Sequence, residues 1–153
     1  MGELTRRSFV SAGVVAASLY CGGALAQHSV PSVGARIALK GYDPISYFTD
    51  GKPEKGSSEF TFAFDDTTYW FKSAEHRDKF AADPERYAPQ FDGFCTIQLS
   101  RGLKVEADPE AWAITNGKLY VFSGKRGVPV FKEQPVAIAD KARENWPKLR
   151  ATQ

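Results

Sequence analysis

Apolar and polar residues change their period several times along the chain, and each change marks an element. From Glu59 to Phe64 phenylalanine stands at every second position, so Phe60, Phe62 and Phe64 share one face. A polar Asp65-Asp66-Thr67 step then leads into Tyr69-Trp70-Phe71. Two such runs around a short polar turn predict a β-hairpin with its phenylalanine face towards the core. A second hairpin is predicted where Thr115-Asn116-Gly117 joins Ala111-Trp112-Ala113-Ile114 to Lys118-Leu119-Tyr120-Val121-Phe122, because Asn-Gly supplies the positive φ of a tight turn.

Other segments follow helical rules. Ser73 is a good N-cap, Glu75 sits in the first turn, and His76 and Phe80 lie four apart on one face. Asp83-Pro84 ends that helix, since proline bars the residue before it from the α region, and 84–87 starts a further short turn. A longer helix is predicted from Pro135 to Leu149, with Val136, Ile138 or Ala139, Ala142 and Trp146 as its apolar stripe. Asp43 and Pro44 read as the N-cap and first position of a short helix anchored by Tyr42, Ile45, Tyr47 and Phe48. Ile37-Ala38-Leu39 predicts a short strand, and 93–100 is read as a helix closed by Gly102. No internal repeat is legible. The expected class is α+β, a small single domain of two β-hairpins with helices packed on one side.

The N-terminus changes where this domain is expected to work. Thr5-Arg6-Arg7-Ser8-Phe9-Val10 has the form of a twin-arginine signal, no charge follows until after Gln27, and Ala24-Leu25-Ala26 is a small-x-small cleavage site. Residues 1–26 are therefore expected to be a cleaved signal peptide, 27–36 a linker and 37–150 the domain, exported to the periplasm. An uncleaved anchor is the alternative, weakened by Gly13, Gly22 and Gly23; a lipoprotein reading of Cys21 fails on the bulky Tyr20 before it. No stable membrane insertion is expected after cleavage. Removing Glu3, Arg6 and Arg7 leaves 18 basic and 17 acidic residues, a net charge of about +1 that argues against nucleic acid as a partner.

Candidate chemistry is sparse. There is no phosphate-cradling glycine loop, no Gly-x-Ser-x-Gly elbow and no His-Glu-x-x-His helix. His28 falls in the linker, so His76 is the histidine placed on an element, and Cys95 is the one thiol left after cleavage. Both suit a zinc or copper ion, and together they suit thiol chemistry with His76 as base. The plainer reading of the same two residues is that His76 helps cap its helix and Cys95 fills core. Tyr42, Tyr47, Tyr69, Tyr87, Trp112 and Trp146 read as core first and as a pocket lining second.

The run from Tyr69 to Tyr87, with Tyr69-Trp70-Phe71-Lys72-Ser73, His76, Phe80, Asp83-Pro84 and Tyr87, resembles the YHS domain family. Gly41-Tyr42-Asp43-Pro44-Ile45 is similar to that family's Asp-Pro-Val segment, and Gly93-Phe94-Cys95 and Asp108-Pro109-Glu110-Ala111-Trp112 resemble an exported bacterial subgroup. The resemblance covers roughly residues 38 to 147. It implies a small metal-binding module whose ligands are chiefly cysteines. This chain has Ser46 and Lys72 at two of those cysteine positions, and His76 alone matches a ligand-type position. The resemblance thus implies an exported YHS-type domain binding copper or zinc through His76 and a substituted Cys95, more a binding protein than an enzyme. The alternatives are a structural or protein-interaction module that has lost the site and serves a periplasmic protein partner, and a thiol enzyme using Cys95 with His76.

Overall fold

In the computed structural model, which describes residues 36–152, both hairpins form where the alternation predicts them. Strand β1 (Arg36–Ile37) runs parallel to β3 (Thr67–Phe71), which pairs antiparallel with β2 (Ser57–Phe64); β4 (Asp108–Thr115) and β5 (Lys118–Phe122) make a separate antiparallel pair. Both connecting turns hold two residues at positive φ, Asp65 and Asp66 in one, Asn116 and Gly117 in the other, as a two-residue hairpin demands. Six helices complete the described chain: α1 (Ser46–Thr49), α2 (Ala74–Ala82), α3 (Pro84–Tyr87), α4 (Thr96–Ser100), α5 (Gly127–Glu133) and α6 (Pro135–Arg150). The fold is α+β. The expected signal, and the expected linker apart from Arg36, lie outside the described residues.

Several boundaries differ from the sequence reading, each for a physical reason. Ser73 caps α2 as expected, its hydroxyl accepting from the His76 N–H at 3.2 Å. Asp43 is not the cap of α1; its carboxylate is drawn inward, and the helix starts at Ser46. Ala38 and Leu39 continue into a left-handed turn instead of a strand, with Leu39, Lys40 and Gly41 all at positive φ. Helix α4 covers only part of 93–100, because a like turn at Phe91, Asp92 and Gly93 precedes it. Helix α5 had no periodic signal in Gly-Val-Pro-Val, and buried Phe131 is what fastens it. Val136 is 62% exposed and leaves the α6 stripe, whose buried members are Ala139 and Ala142.

The two left-handed turns reveal an internal structural repeat that the sequence reading missed. Each turn is followed by an aromatic residue in an isolated bridge, Tyr42 to Lys55 and Phe94 to Glu106. A short helix comes next, then a hairpin whose register slips at equivalent places, between Ser57 and Thr61 and between Asp108 and Trp112. Phe80 of α2 then stacks on Tyr69 and Phe71 at 4.8 and 5.1 Å between ring centres; Phe131 of α5 stacks on Tyr120 and Phe122 at 4.8 and 5.1 Å. Pro84 opens α3 and Pro135 opens α6. Counterparts stand 51 or 52 positions apart throughout, as 41 and 93, 69 and 120, and 80 and 131 show.

Each repeat has its own apolar cluster, one around Phe80 and one around Phe131. They are tied across the middle. Leu119 and Val121 of the second hairpin belong to the first cluster, and Tyr47 meets Trp112 edge-on at 5.2 Å. The Tyr47 hydroxyl donates to the Pro109 carbonyl at 2.8 Å, and Arg36 pairs with Glu106 and donates to the Asp92 carbonyl.

Candidate functional site

A carboxylate between Tyr42 and Ile45 is expensive to bury without partners. Asp43 is fully buried and has them all. Its Oδ1 accepts from the Ile45 N–H at 2.8 Å; its Oδ2 accepts from the Lys72 N–H at 3.0 Å and lies 2.7 Å from His76 Nδ1. Its own N–H donates to the Glu54 carbonyl, and its carbonyl accepts from the Ser46 hydroxyl at 2.7 Å. A carboxylate only accepts, so Nδ1 carries the proton and Nε2 is left with the lone pair in the neutral ring. Asp43 thereby fixes the His76 ring and joins α2, the end of β3 and the start of α1.

Lys72 faces the other way. Its ammonium bonds to Asp50 and, at 2.8 Å, to Glu54. Those bonds hold the Lys72 amine above its usual range. The bond to Lys72 holds Asp50 below the usual carboxylate range, and Lys52 followed by Lys72 does the same for Glu54. Tyr47, buried beside Asp43, has its phenol pushed up chiefly by desolvation.

Of the two expected ligands, His76 is in this cluster and Cys95 is not. Cys95 is a free, buried thiol in the second repeat's apolar cluster, and its N–H donates to the Val105 carbonyl at 2.9 Å. It occupies the second repeat's equivalent of Asp43, whose N–H donates to Glu54 in the same way. Among the described residues no group of three or more His, Cys, Asp and Glu side chains is placed to hold a metal ion. Sequence reasoning found His76 and missed Asp43 and Lys72 as its setting. The signal available was a lone acidic residue inside an apolar run, which buries a charge once the run packs. Likewise, no helix among the described residues is long and apolar enough to cross a membrane.

Comparison of the chain with family models, with curated proteins and with solved structures finds no match.

Proposed function

We propose that the chain is an exported, YHS-type binding module without catalytic chemistry, a structural or protein-interaction domain in which internal polar bonds stand where the family's metal site would be. The observation that carries this reading is the Asp43–His76 contact of 2.7 Å at a fully buried carboxylate. Ser46 and Lys72, at the positions of two family cysteines, support it. The Ser46 hydroxyl is spent on the Asp43 carbonyl, and the Lys72 ammonium on Asp50 and Glu54. A protonated amine offers no lone pair to a metal.

The test is metal analysis of the protein purified from the exported compartment, combined with in-cell crosslinking. The expected result is sub-stoichiometric copper and zinc, a melting temperature indifferent to either ion, and a crosslinked protein partner. One equivalent of metal with a raised melting temperature overturns the reading, because a ligand of the native state must stabilise it.

One observation favours the metal-binding alternative. An Nδ1–H held by a carboxylate is how metal-bound histidines are oriented, with Nε2 free to ligate. In that reading copper or zinc binds His76 through Nε2, and Cys95 would have to reach it from the other repeat. Loss of metal on His76→Gln and also on Cys95→Ser would favour it over the interaction module. The thiol-enzyme reading has less support, since the base it requires is bonded to Asp43 in the first repeat while the thiol is in the second.

A further inference from the structure

The repeat makes the first half a template for the second. At the place where the first repeat puts Asp43, Ser46, Lys72 and His76, the second has Cys95, Gln98, Ser123 and Gly127. The imidazole has become a hydrogen atom. What remains is a cavity of about 220 Å³, lined by those four residues and by Arg101 and Arg126. Its floor is apolar: Ile97 and Phe122 are buried beneath it. Gly127 is needed for this shape, since a Cβ there would meet Phe122 Cβ at 3.0 Å and Ile97 Cδ1 at 3.1 Å.

The charge of this cavity is one-sided. Two guanidiniums and no carboxylate line it, and neither the Arg101 nor the Arg126 side chain has an ion pair or hydrogen bond among the described residues. The Gln98 and Ser123 side chains have none either. Two other arginines of the second repeat are engaged: Arg143 pairs with Asp140, and Arg150 with Asp65 and Asp92. The two N–H groups that hold the Asp43 carboxylate, those of Ile45 and Lys72, correspond to the N–H groups of Ile97 and Ser123. The second repeat keeps the donors and lacks the acceptor.

We propose that this cavity binds a small organic carboxylate, its head taken by Arg101 and Arg126 and its short apolar tail lying on Ile97 and Phe122. The ligand carboxylate takes the role that Asp43 plays in the first repeat. Guanidinium forks match a carboxylate in two parallel bonds, which favours this head group over a neutral one. The apolar floor favours an organic anion over a bare inorganic ion. The site is separate from His76 and stands whether or not that residue binds metal.

Butyrate is the probe, titrated into ¹⁵N-labelled protein and followed by amide shifts. Saturable shifts are expected at Ile97, Gln98, Ser123 and Gly127, with butanol and inorganic phosphate each about tenfold weaker or worse. Both arginines are exposed, so Arg101→Gln with Arg126→Gln should fold normally and lose binding by at least that factor. Cys95→Asp supplies the missing carboxylate internally and should block butyrate in a folded protein. Equal binding of butanol, shifts confined to other residues, or full butyrate binding by the double arginine variant overturns the proposal. A folded Cys95→Asp protein that binds butyrate unchanged overturns the placement of the head group.

Discussion

Single residues carry unequal weight because their partners differ in burial. Asp43→Ala strands three inward-facing donors, the N–H groups of Ile45 and Lys72 and the His76 ring. It should cost roughly 3 kcal/mol, read by urea unfolding, and the His76 ring protons should broaden or shift. Asp92 behaves in the opposite sense. Burial, aided by Asp65, holds its carboxyl above the usual range against the pull of Arg150 and Arg36. A carboxyl with a raised folded value binds its proton more tightly in the fold than in the unfolded chain. Its contribution therefore falls as pH rises through that interval. Asp92→Asn should raise stability at neutral pH, read by urea unfolding, and asparagine tolerates the φ of 53° found there. Asp50 and Glu54, held low, have the reverse sign: their contribution is present above the unfolded carboxylate range and lost in acid. Lys72→Met should flatten the melting temperature between about pH 3 and pH 6 relative to the parent protein.

At the scale of elements, the repeat predicts matched energetics. Phe80 and Phe131 are both fully buried, and each lies on two rings of its hairpin's second strand at like distances; Phe80 also meets Phe62 and Phe64 edge-on. Phe80→Ala and Phe131→Ala should each cost about 3–5 kcal/mol in chemical denaturation. Two glycines should separate by what they face. A Cβ at Gly56 would lie 2.5 Å from the Trp70 backbone carbon, while one at Gly127 meets side chains at 3.0 Å or more. Gly56→Ala should therefore lower the melting temperature by more than Gly127→Ala, because a strand backbone cannot yield as a side chain can. The hairpins and α2 were legible since alternation, Asn-Gly and a serine cap act locally. The left-handed turns were not, because Leu39, Lys40 and Phe91 give no local sign of positive φ. The repeat was hidden for a related reason: Gly41/Gly93, Ile45/Ile97, Tyr69/Tyr120, Phe71/Phe122, Phe80/Phe131 and Pro84/Pro135 are identical, but most residues between them are not. Packing preserves shape at those points and leaves the rest free. The cavity was illegible because it is made by a missing side chain, which no motif records.

For the whole molecule, the cross-ties decide whether the halves unfold together. Leu119 and Val121 complete the first cluster, and Tyr47 reaches Trp112 and the Pro109 carbonyl. Unfolding should be a single transition by fluorescence and by circular dichroism, although Trp70 is in the first repeat and Trp112 and Trp146 are in the second. Tyr47→Phe keeps the ring contact and removes the hydroxyl bond. It should cost about 1–2 kcal/mol without splitting the transition.

Two halves of like shape on one chain also offer each other the wrong partner. During refolding at high concentration, the first half of one molecule can dock on the second half of another, giving exchanged dimers. The asymmetric contacts, Tyr47 to Pro109 and Arg36 to Glu106, can form in such dimers as well as within one chain. Dilution, by favouring the intramolecular encounter, is then what selects the monomer.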